Sequence, residues 1–482
     1  MDDYNIAVFD VGKTNKKFTL FSSDLRPILS TSTYIGEREI EGLLCDDVEA
    51  IANWILSTLA KYVEKHNVRS LAITTFGATI ALVGENGELA MPVVSYNNEI
   101  DPAIRKGFYE EFGSPEDLYV RTGTPPLGQL LNVGVQLYWI SRVYPERYSE
   151  TRTLLFLPQY LSFLLTNARS MEITSLGCHT YLYDMVSGDW SSVAIGLEVP
   201  SRSPEIVEVW KAIGSLNQGK VCVTPGIHDS NASLLPYILR EKGDFVLAST
   251  GTWCVFMYPS AEFSPSRDDV YRDVLYYLDA FGRPIKSARF KCGHEFDHYV
   301  RVIREHFGIN PLEMCLEERV AVDTLKQRES FIIPTLIPGS GQFPYSKGRI
   351  VGNKFFKDPV VAYHILNLSL AVQSYHALRI LTGGVRGTRI IVQGGFAKND
   401  VYLAYLATLM PDCEIVRAEY PEATSLGAAI TAKCALEELK PEEVEVPELG
   451  GARIGPISVD ERYVEEYVEE FLKLCREGST KS

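Results

Sequence analysis

Two stretches of this chain follow one hydrophobic plan. Residues 6–10 are apolar up to a closing carboxylate, Asp10; residues 11–17 are small or polar, and residues 18–21 turn largely apolar again. Residues 245–248, 249–253 and 255–257 repeat the order of apolar run, small polar turn and apolar run. Each set predicts strand, turn and strand, and their places at the head of each half predict two similar domains, 1–240 and 241–482, facing each other. The charged bend from Arg240 to Asp244 marks the junction, because a short polar turn between apolar elements is where few contacts need cross.

Between the two hairpins the periodicity alternates. Helical spacing over 46–65 followed by an apolar run at 68–75 predicts a helix feeding a buried strand, which suggests α/β packing. Residues 80–83 and 91–96 flank a turn containing Asn86 and Gly87 and read as a hairpin pair. A helical pattern then runs from 103 to 148 with a break at 122–126, and another covers 160–166. Glu172, Thr174 and Ser175 lie on a short segment that either lines a cleft or forms a helix cap with its acid nearby. The run 221–224 predicts a strand that delivers Asp229 to the C-terminal lip of a sheet, where crevices form in α/β folds. Farther on, 389–392 predicts a strand entering Gly394 and Gly395, with a helix over 402–410. Residues 422–429 open a helix of small residues suited to close packing, and 460–475 form an acidic amphipathic helix with frayed residues beyond it.

Composition narrows the class. At 482 residues the chain exceeds what one core usually holds, and its 46% hydrophobic content is that of an ordinary globular protein. A formal net charge of −15 makes nucleic acid or an anionic membrane surface an unsuitable partner, since those need clustered Lys and Arg. The nine cysteines are scattered, with no zinc spacing, and read as reduced thiols of a cytoplasmic protein. The N-terminus lacks the pattern of a signal peptide, and no window approaches ~18 uninterrupted apolar residues.

The chemistry-bearing residues sit at the predicted turns. The turn after Asp10 can aim backbone N–H groups, the Thr14 hydroxyl and lysine ammonium groups at a phosphate, while Asp10 could hold a hydrated Mg²⁺; the blander reading is a surface turn with solvated lysines. It is not a Walker loop, because G-x-x-x-x-G-K-[ST] is absent and a strand follows where a helix should. Asp229 suits a general base, yet equally suits the cap of a helix beginning near Asn231. Asn97, Asn98 and Glu99 could meet sugar hydroxyls or simply form a turn. Gly394 and Gly395 would let an anionic or flat ligand approach the backbone, or merely make a tight turn.

Five blocks in order carry a family resemblance: Asp10-Val-Gly-Lys-Thr-Asn15, Gly226-Ile-His-Asp-Ser230, Ser249-Thr-Gly-Thr-Trp253, Gly394-Gly-Phe-Ala-Lys-Asn399 and Glu422-Ala-Thr-Ser-Leu-Gly427. Together they resemble the signature blocks of the FGGY family of carbohydrate kinases, nearest to the rhamnulokinase and fuculokinase branch. The resemblance implies an α/β fold of two actin-like, ribonuclease-H-type ATPase domains, with ATP and sugar in the cleft between them. It implies Asp229 as the base, Gly77, Asn98, His228 and Ser230 as sugar contacts, and Asp10 near Mg²⁺. Lys13, Thr14, Asn15, Lys16, Lys17, Gly251 and Thr252 would hold the ATP phosphates, with Gly394, Gly395 and Asn399 against the nucleoside. Lys13 stands where the family usually has Thr, Ser or Ala, Phe396 replaces a third glycine, and Asn98 and Thr79 stand where relatives have sugar-binding acids. The expected partners are a small-molecule sugar and ATP, with a homodimer allowed. The alternatives are a kinase for another sugar or polyol such as xylulose, ribulose or glycerol, and a catalytically silent actin-like protein that binds sugar or nucleotide. A dinucleotide-dependent oxidoreductase lacks its G-x-G-x-x-G turn after the first strand.

Overall fold

The computed structural model describes residues 4–337 and 339–477. The frayed tail expected beyond the last helix falls largely outside them. Two seven-stranded mixed sheets, one from each half of the chain, share a single plan. In the first, Asn5–Val11 pairs antiparallel with Asn15–Ser22, which pairs with Pro27–Tyr34; on its other side it runs parallel to Val68–Thr75, followed by Val221–Val223. In the second, Phe245–Thr250 pairs antiparallel with Cys254–Tyr258, which pairs with Pro284–Phe290; on its other side it runs parallel to Arg389–Gly394 and then Glu414–Arg417. A leading strand flanked by a hairpin and a parallel neighbour is covered on both faces, which is why both leading strands read as apolar runs and not as alternation. Their ends, Asp10 and Thr250, therefore emerge at the same corner of each sheet.

Two helices join the halves. Asp229–Arg240 and Ala423–Glu437 lie against each other so closely that a Cβ on Gly427 would fall 1.8 Å from the carbonyl oxygen of Ala232. Their apolar faces, through Leu234, Leu235, Leu426 and Ile430, share one cluster with Ile6 and Val8 of the first sheet and Leu247 and Ile391 of the second. The Ser70 hydroxyl also donates to the Ala432 carbonyl at 2.6 Å. The small residues predicted at 422–429 are thus the means by which one lobe is pressed onto the other. In the second half the Pro359–Thr382 helix, capped by Asp358, is buried along most of its length and forms the centre of that lobe.

Several local expectations are corrected. Ile80–Val83 pairs with Thr153–Phe156, leaving only a bridge from Val83 to Leu89 where a hairpin with 91–96 was expected; the partner is remote in sequence and gave no local signal. The helical region 103–148 divides into Pro102–Phe112, Pro115–Thr122, Val133–Val143 and Pro145–Glu150, three of them opened by a proline whose missing N–H costs nothing in the first turn. Glu172 takes the capping role, accepting from the backbone N–H groups of Thr174 and Ser175. All nine cysteines carry free thiols, and among the described residues no helix is long and apolar enough to cross a membrane.

Candidate functional site in the cleft between the lobes

Matching three-residue turns close the two leading hairpins. Gly12 to Thr14 link Asn5–Val11 to Asn15–Ser22, and Gly251 to Trp253 link Phe245–Thr250 to Cys254–Tyr258. Gly12 is required because a Cβ there would lie 2.9 Å from the Asn15 carbonyl oxygen. Thr14, Asn15, Gly251 and Thr252 are exposed, so the Thr14 and Thr252 hydroxyls are open to a ligand, while the Gly251 N–H donates within its own turn to the Trp253 carbonyl at 2.9 Å. The Thr250 hydroxyl donates to the Gln393 carbonyl and accepts from the Phe396 N–H at 3.0 Å, tying this turn to the glycine turn of Gly394. Gly394 adopts φ 85°, and a Cβ on it would collide with the Thr250 carbonyl. Beside this joint opens a cavity of about 550 Å³ lined by Gly251, Thr252, Gly395, Asn399, Phe296 and Tyr363. Its size and mixed lining suit a nucleoside. Phe396, in place of a third glycine, packs edge-on against Phe296 at 5.2 Å and so builds the cavity wall.

Asp229 is the first residue of its helix, not the cap; His228 occupies the cap position. Its Oδ1 accepts from the Ser230 N–H at 2.6 Å and the Ser230 hydroxyl at 3.3 Å, and lies 3.4 Å from His228 Nε2. The strand Ile227–His228 pairs with the end of Val68–Thr75, placing His228 opposite Thr75, and the Thr174 hydroxyl accepts the His228 N–H at 3.1 Å. Gly77 lies just beyond that strand end: a Cβ there would be 2.9 Å from His228 Nε2. Gly77, His228, Asp229 and Ser230 are thereby brought together. Burial pushes the Asp229 carboxyl from 3.8 up to about 6, against the opposing pull of the Ser230 hydrogen bonds. Asp10 rises to about 7, through burial first and then the negative charge of Asp229, partly offset by Lys17. Two half-buried carboxylates within each other's field are chemistry that a cation relieves. The donor set therefore fits a hard divalent ion.

The second lobe reaches the same place. Asp229 and Cys178 act on the Tyr277 hydroxyl, which burial raises far above its ordinary value, and the Arg289 charge acts on both Cys178 and His179. Arg289 stacks on Trp253 of the second turn at 4.7 Å from the ring centre. Asp229 thus lies near enough to the second lobe for its charge to be felt at Tyr277.

Other expected residues go elsewhere. The Lys16 side chain is buried, and its ammonium donates to the carbonyls of Lys13 at 2.9 Å and Ile35 at 2.6 Å, so it turns inward from the turn. Lys13 is drawn aside to Asp46 at 2.6 Å and Glu37 at 2.8 Å, under the rings of Tyr96 and Phe76. Lys17 pairs with Glu422 across the lobes at 3.0 Å. The Asn98 amide is consumed by the chain itself: it accepts from the Leu44 N–H and donates to the carbonyls of Leu44 and Ser95. None of these bonds goes to the Asp229 group. Asn399 caps the helix Asp400–Leu409 and donates to Asn367 at 2.7 Å, at the rim of the nucleoside-sized cavity. His179, which reaches Gly77, and Phe296 and Tyr363, which line the cavity, escaped sequence reasoning because only chain crossings remote in sequence bring them there.

Twin turns on matching sheets, two carboxylates near the first of them and a closely packed pair of small-residue helices define a two-lobed α/β protein. Comparison with known proteins makes the class specific. Residues 5–228 match the N-terminal domain of the FGGY family of carbohydrate kinases, and residues 242–441 match the carbohydrate kinase FGGY C-terminal domain. The chain belongs to the FGGY family of carbohydrate kinases. It is 25% identical over 266 residues to the rhamnulokinase of Halalkalibacterium halodurans, covering 52% of this chain and 55% of that protein. It is 28% identical over 224 residues to the L-fuculokinase of Salmonella typhi, covering 44% and 46%. The chain thus spans about half the length of the curated relatives it matches. Among solved structures, a carbohydrate kinase from Novosphingobium aromaticivorans superposes with a TM-score of 0.82 at 29% identity, covering 99% of both chains. The gluconate kinase of Lactobacillus acidophilus, at 16% identity and a TM-score of 0.80 over 98% and 97% of the chains, shares the fold.

Proposed function

We propose that this protein transfers the terminal phosphoryl group of ATP to a hydroxyl of a ketose or deoxyketose, of the L-rhamnulose or L-fuculose type, with Asp229 as general base. The observation that carries this reading is the position of Asp229: a half-buried carboxylate at the start of the joining helix, beside His228 and Gly77 and within the electrostatic reach of Tyr277 in the second lobe. The sugar hydroxyl gives its proton to Asp229 as its oxygen forms the new bond to phosphorus. The bond from phosphorus to the β,γ-bridging oxygen breaks, and ADP leaves with those electrons. Little covalent chemistry falls to the chain, so position and charge carry the rate.

In this reading residues 1–240 hold the sugar and the base, and residues 241–482 hold the nucleoside. The exposed turns bearing Thr14, Asn15, Gly251 and Thr252 would grip the phosphates from either side. Gly394, Gly395 and Asn399 would lie against the nucleoside, in or beside the 550 Å³ cavity. Asp10 would hold Mg²⁺, whose contribution when bound is to neutralise phosphate charge. His228 and Ser230 would orient the sugar, and the free thiols accord with a reducing cytoplasm. Coupled measurement of ADP release on a panel of ketoses, aldoses and polyols tests the assignment. The reading requires sugar-stimulated release for at least one ketose; nucleotide binding without stimulation by any sugar refutes it.

A further inference from the structure

Beside Asp229, the Nε2 atoms of two imidazoles converge over Gly77. A Cβ on Gly77 would lie 2.9 Å from Nε2 of His228 and 3.3 Å from Nε2 of His179, and the two rings meet edge-on with centres 6.3 Å apart. Each ring is fixed through its other nitrogen. His179 Nδ1 lies 3.0 Å from the Leu131 carbonyl, which can only accept, so Nδ1 carries the proton and Nε2 presents a lone pair. His228 Nδ1 faces the Asn231 side-chain amide nitrogen at 3.4 Å, which donates, so the proton of His228 sits on Nε2, the atom 3.4 Å from Asp229 Oδ1. One acceptor and one donor thus converge over Gly77 next to the base.

We propose that His179 and His228 together form a subsite for a single sugar hydroxyl, which donates to His179 Nε2 and accepts from His228 Nε2, and that His179 thereby sets which sugars are accepted. The inference rests on the kinase reading above and assigns one discriminating contact within it. A hydroxyl is the group that both donates and accepts along two directions, and a buried pair of this kind rejects an analogue lacking it because both nitrogens are then left without partners. Burial holds both rings neutral, His179 near pKa 3 and His228 near 4, so neither becomes a double donor at physiological pH. His179 also holds φ 43°, a left-handed conformation that a non-glycine residue keeps only where its surroundings enforce it. Cys178 Sγ lies within 4.8 Å of the two ligand nitrogens, which raises a metal centre as the competing occupant. Burial and the nearby Asp229 charge keep that thiol protonated, and a metal would need lone pairs on both Nε2 atoms. The geometry favours the hydroxyl.

The test compares wild type, His179→Ala and His179→Gln for kcat/KM on L-rhamnulose, L-fuculose, L-ribulose and D-xylulose, and on singly deoxygenated analogues of the best of these. His179→Ala should lower kcat/KM on the best ketose about tenfold. It should also abolish discrimination against one analogue while leaving the KM for ATP unchanged. His179→Gln, which keeps an acceptor, should restore part of the loss. Unaltered ratios for every analogue in His179→Ala would overturn the subsite while leaving the kinase reading intact. Wild type that releases no ADP with any sugar would instead remove the kinase reading, and the subsite with it. Calorimetric titration with Zn²⁺ decides the competing occupant: one tight equivalent, lost in Cys178→Ser, would overturn the hydroxyl assignment.

Discussion

Substituting Gly427 by alanine should disturb both stability and turnover, although residue 427 touches no proposed ligand. The added Cβ would sit 1.8 Å from the Ala232 carbonyl oxygen, 2.6 Å from its carbon and 3.0 Å from its Cα. These are backbone atoms of the helix that begins at Asp229, so no side-chain rotation relieves the clash. Restoring ordinary contact separates the two helices by more than an ångström. Overpacking of this kind costs about 3 kcal/mol, and the better helix propensity of alanine returns about 1 kcal/mol, leaving a net loss of about 2 kcal/mol. The displaced helix carries the base, and a misplacement of about 1 Å can cost ~10²-fold in rate. Urea unfolding followed by circular dichroism reads the first effect, and kcat on the best ketose reads the second. A Gly427→Ala protein with wild-type midpoint and wild-type kcat would refute the proposition that this contact positions Asp229.

The pH dependence follows from the same site. With the Asp229 carboxyl raised to about 6 and Asp10 to about 7, kcat/KM should climb with pH across that interval, and His228 near 4 and His179 near 3 add no limb above pH 5. A folded pKa above the unfolded value of 3.8 means the proton binds the folded state more tightly, so the group's contribution to stability is lost as pH rises from about 4 to about 6. Melting temperatures of Asp229→Asn should therefore equal wild type at pH 4 and exceed it at pH 8; a variant less stable than wild type at pH 8 would contradict this. Lys13→Thr should act on stability before affinity, because it strands the Asp46 carboxylate, whose side chain is 5% exposed, without its 2.6 Å partner. The expected loss is about 3 kcal/mol at pH 8, and less at pH 5 because burial already favours protonation of Asp46. An unchanged urea midpoint with a raised KM for ATP would show instead that Lys13 serves phosphate.

Much of the scaffold was legible because its signals are local. The apolar runs leading to Asp10 and Thr250 announce covered strands, and the small residues between them announce turns. Gly427 stood in a small-residue helix whose partner, Ala232, no pattern could name. Asp229 was found as a candidate, but its cap and base readings differ only by the placement of neighbouring backbone, and the structure gives the cap to His228. Lys13, Lys16 and Asn98 were expected at ligands because of the turns that hold them; tertiary partners Asp46, Glu37, Ile35 and Leu44 claim their side chains. Ile80–Val83 found its strand partner some seventy residues away, beyond any turn signal. His179 carries no motif, and its role rests on the Leu131 carbonyl and Gly77, both remote in sequence.

The proton acceptor is the centre of the account, and Asp229→Asn tests it most directly. Rapid-quench single turnover with saturating Mg²⁺-ATP and the best ketose, alongside ATP affinity by calorimetry, separates chemistry from binding. The amide keeps the shape and leaves nothing to take the proton, so the transfer step should slow by roughly 10²- to 10⁴-fold while ATP affinity stays at the wild-type value. Transfer within about threefold of wild type would contradict Asp229 as the base.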